Sequence, residues 1–302
     1  MLINPLLFIY KTVASNTRKM TEANWKYCQE NSDLILSTGL QLLLKSKKNS
    51  FGTICENCYG NYLIIDKSEN WSYTGEGKNL FNRIKQHSKE KTSTFYKNYI
   101  KSNRLGKNLK IEEFEFKTIN NSIGRKELEE FTIVNYPTNL NNFQKGKRGQ
   151  FKAKENKKLW NEIQDNYVKI IQQGEKEFVK TKHFEWISAS IKYGAGIYWI
   201  EHPKDGHIYI GESSDVFKRH ATHSGRTYFS AVRRNLGETI LGFKLQTING
   251  RKRYFSDKED SQLTKYLNSC SIKTMPISFG RFELEEYLIR KHKPILNRKE
   301  NA

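Results

Sequence analysis

The chain has 302 residues, which is enough for two domains of ordinary size or one large one. Its 52 lysines and arginines exceed its 32 aspartates and glutamates, and the resulting formal charge of +20 favours a polyanionic partner such as nucleic acid. An aromatic content of 13% excludes a disordered basic tail, and four cysteines are too few for a disulfide scaffold. We therefore expect a folded, cytoplasmic protein without membrane spans. The alternative origin of the positive charge is an AT-rich genome, whose codons favour lysine.

The sequence contains an internal repeat of domain size. Residues 279–297 align without a gap on residues 123–141, and residues 209–224 align in the same way on residues 73–88. Self-similarity over such lengths predicts two copies of one structural unit.

The repeat predicts two domains joined by a linker. We assign the first copy to residues 1–145 and the second to residues 159–302. The match extends toward the N-terminus of each copy, where Trp25 corresponds to Trp160. Residues 146–158 between the copies are strongly basic, which indicates an exposed linker or an arm that touches phosphate.

The second copy begins with a predicted helix and a β-hairpin. Apolar residues recur at helical spacing from Leu159 to Ile171. Runs of β-branched and aromatic residues at 197–200 and 207–210 then flank Pro203-Lys204-Asp205-Gly206, a strong turn signal.

The remaining elements of the second copy complete a small domain. Ser214-Asp215 caps a helix through His223, a strand is predicted at 243–248, and the last helix spans 284–291 and ends before Pro294. The order helix, hairpin, helix, strand, helix predicts an α+β unit within the α/β class, with a small, mostly antiparallel sheet flanked by helices.

The second copy is longer than the first, and we assign the difference to an insertion at 250–278 with a helix at 260–267. Basic residues beside an aromatic suit contact with a nucleic-acid groove or with phosphate. The alternative is a surface embellishment that packs on its own domain. The expected nucleic-acid-binding residues of the insertion and the linker are Arg251, Lys252, Arg253, Lys147 and Arg148.

Six polar side chains of the second copy converge on one face of the predicted sheet. They are Tyr198, Tyr209, Arg219, His223, Glu285 and Asn297. The tyrosines share a face because strand side chains alternate, and the arginine and histidine are one helical turn apart. Such a set suits phosphodiester hydrolysis, which needs a carboxylate for a metal ion, a guanidinium for the developing charge and a base for water. Taken singly, each residue has a structural alternative in packing or solvation.

Gly196-Ile197-Tyr198 and Tyr209-Ile210-Gly211 resemble the two halves of the GIY-YIG nuclease signature, and the resemblance covers residues 194–298. It implies that Tyr198 is the general base and that Glu285 binds Mg²⁺ or Mn²⁺. It also implies that Arg219 binds the scissile phosphate, with Tyr209, His223 and Asn297 in support. The position of His223 and the step from Glu285 to Asn297 resemble the restriction endonucleases of the family more than its repair or homing members.

The first copy carries a degenerate form of the motif, Gly60-Asn61-Tyr62 and Tyr73-Thr74-Gly75. The internal alignment retains all six polar side chains as Tyr62, Tyr73, Arg83, His87, Glu129 and Asn141. We expect Glu129 to bind a second metal ion; the alternative is an inactive structural half.

These features together predict a Mg²⁺-dependent endonuclease, similar to type II restriction enzymes, that cuts double-stranded DNA. A fused pair would act as a monomeric pseudodimer with one active site per strand. A DNA methyltransferase acting on the same site is a candidate partner, whose existence the sequence does not decide. The alternatives are a repair, phage or mobile-element nuclease of low specificity and a DNA-binding protein with inactive sites.

Overall fold

The computed structural model describes residues 23–54, 58–67, 71–89, 93–102, 109–141 and 154–298. We call residues 23–141 the first half and residues 154–298 the second half. The elements of the first half are α1 (Trp25–Glu30), α2 (Ser32–Lys45), β1 (Gly60–Asp66), β2 (Ser72–Gly77), α3 (Leu80–Gln86), α4 (Thr94–Ser102), β3 (Phe114–Asn120) and α5 (Arg125–Asn135).

The elements of the second half are α6 (Lys157–Asp165), α7 (Tyr167–Val179), β4 (Phe184–Glu185), β5 (Gly196–His202), β6 (Gly206–Ser213), α8 (Val216–Ser224), α9 (Ala231–Thr239), β7 (Gln246–Ile248), β8 (Arg251–Tyr254), α10 (Asp257–Asn268), β9 (Ser271–Pro276) and α11 (Arg281–His292). Within the described ranges, no helix has the length and apolar character needed to cross a membrane.

The first half contains an antiparallel sheet in the order β2-β1-β3. Its central strand is buried on both faces. Leu63 and Ile65 pack on Leu43 of α2, whereas Tyr62 and Ile64 pack with apolar residues of α3 and α4. This alternation follows the two-residue period of a strand and separates the two faces of the sheet.

The second half contains an antiparallel sheet in the order β4-β9-β5-β6. Ile197 and Trp199 face a core formed with α6, α7 and α11, whereas Tyr198 and Ile200 face a core formed with α9 and α10. The predicted hairpin, the helix capped by Asp215 and the last helix are confirmed, as is the mixed α+β class with antiparallel sheets.

The strand predicted at 243–248 is confirmed for residues 246–248 and wrong for residues 243–245. Only β7 is extended there, and it pairs with β8 in a separate two-stranded sheet. Phe243 and Leu245 pack against the second-half core instead, which accounts for the apolar pattern. The third strand beside the hairpin is β9, whose Lys273 ammonium lies 5.0 Å from the Trp199 ring centroid. Because a buried lysine interrupts the apolar pattern of this strand, hydrophobic periodicity does not predict it.

The insertion expected at 250–278 therefore extends too far. β9 pairs with β5 through Gly196 and Pro276, as β3 pairs with β1 through Gly60 and Asn120. Residues 271–278 thus belong to the main sheet and to its connection with α11. The extra elements of the second half, relative to what is described of the first, are β4, β7, β8 and α10.

The helical segment predicted from Leu159 to Ile171 is two helices, α6 and α7. They meet at Asn166, whose side-chain amide donates to the Glu162 carbonyl at 2.8 Å. The first half has a matching break at Asn31, whose amide donates to the Tyr27 carbonyl at 2.9 Å. Each asparagine satisfies a carbonyl that the end of a helix leaves unpaired.

The first helix of each half, α1 or α6, packs on the opposite half. Trp25 of α1 covers Gly174 of α7, and Trp160 of α6 covers Gly39 of α2. A Cβ at Gly174 or Gly39 would lie 2.7 or 2.6 Å from the indole that covers it. Both glycines are therefore required for the close approach of these helices.

Two glutamines bind α1 and α6 to the opposite half. Gln29 of α1 donates to the Phe279 carbonyl at 2.8 Å and accepts from the Ser278 amide at 2.9 Å. Gln164 of α6 accepts from the Ser122 amide at 2.7 Å and donates to the Ile123 carbonyl at 3.3 Å. Helices α1 and α6 thus each bind the backbone that leads into the last helix of the other half.

Buried ion pairs join α5 to α11. Arg125 Nε lies 2.9 Å from Glu283 Oε1, and the Arg281 amide donates to Glu127 Oε1 at 3.1 Å. Arg281 also contacts its own half through Glu212 Oε2, 2.8 Å from Nε. Burial and the negative charge of Glu283 raise the pKa of Glu127 to about 7.

Candidate active site

The tyrosines of the hairpin share one face of the second-half sheet. Tyr198 of β5 lies opposite Gly211, and Tyr209 of β6 lies opposite Ile200, so the two rings are diagonal neighbours with centroids 6.0 Å apart. Tyr198 is buried and Tyr209 is partly exposed. The predicted diagonal pairing of the two tyrosines is confirmed.

Gly211 makes room for the Tyr198 hydroxyl. A Cβ at residue 211 would lie 2.5 Å from Tyr198 Oη and 2.7 Å from the Tyr209 ring. The backbone of Gly211 does not have a positive φ, so side-chain packing, and not backbone conformation, explains the glycine at this point of the motif.

His223 contacts the buried tyrosine from α8, the helix capped by Asp215. Tyr198 Oη and His223 Nε2 are 2.9 Å apart, and His223 Nδ1 is 2.8 Å from Ser230 Oγ. Burial, reinforced by the positive charge of Arg219, lowers the pKa of His223 to about 3. The imidazole is therefore neutral near pH 7 and carries one N–H. In the tautomer with the proton on Nδ1, Ser230 accepts from Nδ1–H, and Nε2 accepts the Tyr198 hydroxyl.

Burial also keeps Tyr198 protonated. It raises the pKa of the phenol well above 10, Tyr209 adds to the rise, and the nearby Arg219 opposes it. Glu285 raises the same pKa through its negative charge, so Tyr209, Arg219 and Glu285 all lie within electrostatic range of one hydroxyl.

Glu285 and Arg219 occupy the accessible edge of the site. The Glu212 amide of β6 donates to Glu285 Oε1 at 2.9 Å, which orients this carboxylate of α11 toward the sheet as expected. Arg219 is exposed on α8. A fixed carboxylate beside an exposed guanidinium can hold a cation and a phosphate next to each other.

Asn297 supports the hairpin from behind. Its buried side chain accepts from the Ile210 amide at 3.0 Å and donates to the Ile210 carbonyl at 2.8 Å. Since it pairs with both backbone groups between Tyr209 and Gly211, it is a positioning residue.

The second-half donor set fits a hard divalent cation such as Mg²⁺. Such an ion is commonly bound by one or two carboxylates and completes its shell with water and substrate phosphate, and Glu285 offers one oriented carboxylate. Its neighbour Glu212 is engaged by Arg281. No cluster of three histidine, cysteine, aspartate or glutamate side chains suited to a metal occurs in the described ranges, so a closed all-protein site is not present there.

The first half repeats the buried part of this arrangement. Tyr62 Oη lies 2.6 Å from His87 Nε2, and His87 Nδ1 lies 3.1 Å from Ser93 Oγ. Burial, with the charge of Arg83, lowers the pKa of His87 to about 3. Asn141 holds Thr74 by the same pair of backbone bonds, at 2.9 and 2.8 Å.

The carboxylate of the first half has a different neighbour. Lys126 Nζ lies 2.7 Å from Glu129 Oε2, one turn earlier on α5. Burial opposes the charge of Lys126, but Glu129 raises the pKa of this lysine overall. The donor set of the first half therefore already contains a cation at its carboxylate and does not fit a divalent ion as the second half does.

A cavity of about 460 Å³ is lined by the candidate site of the first half and, from the candidate site of the second half, by Arg219. It is lined by Tyr73, Arg83 and Glu129 of the first half and by Glu212 and Arg219 of the second, among others. Both candidate phosphate-binding arginines therefore lie along one groove.

The expected nucleic-acid-binding residues are only partly visible. Lys147 and Arg148 lie outside the described residues, and Arg251 and Lys252 are described only as part of the backbone of β8. Arg253 is exposed, with its guanidinium 5.6 Å from the Tyr228 ring centroid.

Ser93, Ser230 and Lys126 are site residues that sequence reasoning missed. Each serine binds a catalytic-site histidine, and Ser230 also caps α9. Six residues separate His87 from Ser93 but seven separate His223 from Ser230, so the ungapped alignment does not superimpose them. A serine N-cap before the following helix was the available signal.

Residues 167–302 match the family model described as the GIY-YIG catalytic domain. The match supports the GIY-YIG superfamily for this part of the chain, and such a domain implies a nuclease that acts on DNA. Neither the curated proteins nor the solved structures contain a significant match to the chain.

Proposed function

Because residues 167–302 match a GIY-YIG catalytic domain, we propose that the chain is a divalent-metal-dependent endonuclease that hydrolyses phosphodiester bonds in duplex DNA. The observation that carries this proposal is the buried Tyr198–His223 pair beside Glu285 and Arg219. It joins a proton acceptor to a metal-binding and a phosphate-binding group at one edge of the sheet.

We propose that Tyr198 and His223 act together as the base. A phenol with a raised pKa is a poor base alone if it must lose its proton to solvent. Here water can give its proton to Tyr198 Oη while the phenol proton passes to His223 Nε2, 2.9 Å away. The lowered pKa of His223 makes the imidazolium short-lived, and its proton returns to solvent when the reaction is complete. The water oxygen then bonds to phosphorus, the bond to the leaving oxygen breaks, and that oxygen takes a proton from solvent.

The remaining residues would bind and orient the phosphate. Arg219 would hold a non-bridging oxygen and offset the charge that develops on it. A divalent ion at Glu285 would polarise the phosphate and stabilise the leaving oxygen. Ser230 would keep His223 in the accepting tautomer, and Asn297 would hold the strand that carries Tyr209.

We further propose that the chain is a tandem repeat and acts as a monomeric pseudodimer. The matching Tyr62–His87 and Tyr198–His223 bonds, the reciprocal helix contacts and the shared cavity support this arrangement. Two phosphate sites along one groove suit the two strands of one duplex. A double-strand break requires both halves to be competent.

Site-specific restriction is the proposed biological form of the activity, with a DNA methyltransferase of the same specificity as partner. Its support is the histidine position and the spacing of Glu285 and Asn297. A nuclease of low specificity has the same site, and a DNA-binding protein with inactive sites would have the same charge.

Digestion of supercoiled plasmid and of several natural DNAs, methylated and unmethylated, tests the proposal. We expect Mg²⁺-dependent cleavage that EDTA stops and that yields ends of uniform sequence. Glu285→Gln should lose this cleavage and keep DNA binding. Cleavage in EDTA would contradict the metal dependence, and ends of random sequence would contradict site-specific restriction. DNA binding without cleavage under all conditions would contradict the nuclease activity.

A further inference from the structure

The two halves differ at one position that faces the candidate metal carboxylate. In the first half, Lys126 lies one turn before Glu129 on α5, and their charged atoms are 2.7 Å apart. The Glu129 side chain is 15% exposed and that of Lys126 34%, so the pair is largely shielded from solvent. Shielding strengthens the attraction between unlike charges relative to an ion pair in water.

The second half has an aromatic residue at the matching position. Phe282 precedes Glu285 on α11 by the same interval and carries no charge. Its ring lies against the Arg125 guanidinium, 5.3 Å from ring centroid to Cζ. The contact draws this side chain toward the buried ion pairs between α5 and α11, so no ammonium group is supplied to Glu285 from this position.

We propose that the Lys126 ammonium takes the place of the metal ion in the first half, so that the chain binds one divalent ion, at Glu285. A divalent ion at Glu129 would have to displace a paired ammonium and then remain beside its positive charge. The inference rests on the proposed nuclease function and makes that function asymmetric. Metal-dependent hydrolysis then occurs at the second half, and the first product from duplex DNA is a nick.

Counting bound Mn²⁺ from the loss of its free electron paramagnetic resonance signal tests the inference without relying on activity. The wild-type chain should bind one ion, Glu285→Gln should bind none, and Glu129→Gln should still bind one. Lys126→Phe, which copies the second half, should bind two, and the charge-preserving Lys126→Arg should stay at one. Phe282→Lys, the reverse exchange, should lose the ion.

Thermal unfolding of each variant shows whether it is folded, and Lys126→Met replaces Lys126→Phe if the bulkier ring destabilises the chain. In plasmid cleavage, the wild type should accumulate open circles, and Lys126→Phe or Lys126→Met should increase the linear fraction. Two ions in the wild type, one lost with each of Glu129→Gln and Glu285→Gln, would overturn the inference and leave the nuclease intact. Absence of any ion that Glu285→Gln removes would overturn the proposed function itself.

Discussion

The Tyr198 hydroxyl is the single group on which the proposed proton transfer depends most. Tyr198→Phe keeps the ring and its packing but removes the oxygen between water and His223. We expect cleavage to fall by roughly 10²- to 10⁴-fold, the usual contribution of a general base, with little change in unfolding temperature. Tyr193→Phe is the matched control, because Tyr193 is 71% exposed and lies outside the site. Equal losses in both variants would contradict the role of Tyr198.

The two buried histidines predict how stability depends on pH. Both have folded-state pKa values of about 3, below the ordinary value of 6.5, because burial disfavours their charge. The unfolded chain therefore binds more protons than the folded chain between these values. Their contribution to stability is complete above pH 6.5 and is lost as the pH falls toward 3, by about 1.4 kcal/mol per pH unit for each histidine.

Urea unfolding at several pH values checks this dependence. Glu127, with its pKa raised to about 7, changes stability in the opposite direction, so the informative quantity is a difference between variants. The free-energy gap between the wild type and His87→Gln/His223→Gln should narrow below pH 6.5. A gap that is constant from pH 8 to pH 5 would refute the neutral buried histidines.

The sequence predicts residues well where chemistry is repeated at fixed spacing. Their order along the chain identifies Tyr198, Arg219, His223 and Glu285, and the structure brings the last three within range of the Tyr198 hydroxyl. The Lys126–Glu129 pair could not be recognised in that way. The effect of this pair depends on the direction of the Lys126 side chain, which the sequence does not give, and a lysine on a helix is usually solvated.

At the scale of elements, the approach of β6 to β5 depends on a residue without a side chain. Gly211→Ala would bring a Cβ to within 2.5 Å of Tyr198 Oη, so the tyrosine or the strand must shift. We expect cleavage to fall at least tenfold because the Tyr198–His223 bond is displaced. Gly52→Ala is the control, since a Cβ there meets no atom within 4 Å. Full activity of Gly211→Ala would show that this packing is not needed.

The β7–β8 hairpin forms a sheet of its own, so it can be shortened without removing β9. Replacing residues 247–253 by a two-residue turn should leave Mn²⁺ binding unchanged. If the exposed Arg253 and its neighbours contact DNA, binding should weaken and lose part of its salt dependence. Unchanged DNA affinity and unchanged cleavage positions would identify the hairpin as a surface embellishment.

The elements that the sequence misassigned share a cause. Phe243 and Leu245 are apolar because a connecting segment packs on the core. Strand β9 carries a lysine at a buried position, because Lys273 lies over the Trp199 ring. Hydrophobic periodicity reports burial, and in both places burial is decided by a neighbour from elsewhere in the chain. The hairpin and the last helix, whose patterns are set locally, were predicted correctly.

On the scale of the whole molecule, the buried ion pairs between α5 and α11 make the halves depend on one another. Arg125→Ala would leave Glu283 buried without its partner at 2.9 Å. We expect the free energy of unfolding to fall by about 3–5 kcal/mol, the usual cost of breaking a buried pair. Arg298→Ala, which removes a surface pair with Glu238, should cost about 1 kcal/mol or less. Equal costs in urea unfolding would contradict the structural role of the cluster.

The contacts of α1 with the second half also affect the order in which the chain folds. Trp25 and Gln29 are synthesised before their partners, which are Gly174 and the backbone of Ser278 and Phe279. Contacts that span most of a polypeptide form late and slowly, because a long loop must close before they yield any gain. Helix α1 therefore stays partly uncovered until residues 278 and 279 have been synthesised. The cavity lined by both halves is thus completed only after the second half has been made, so neither half can form it alone.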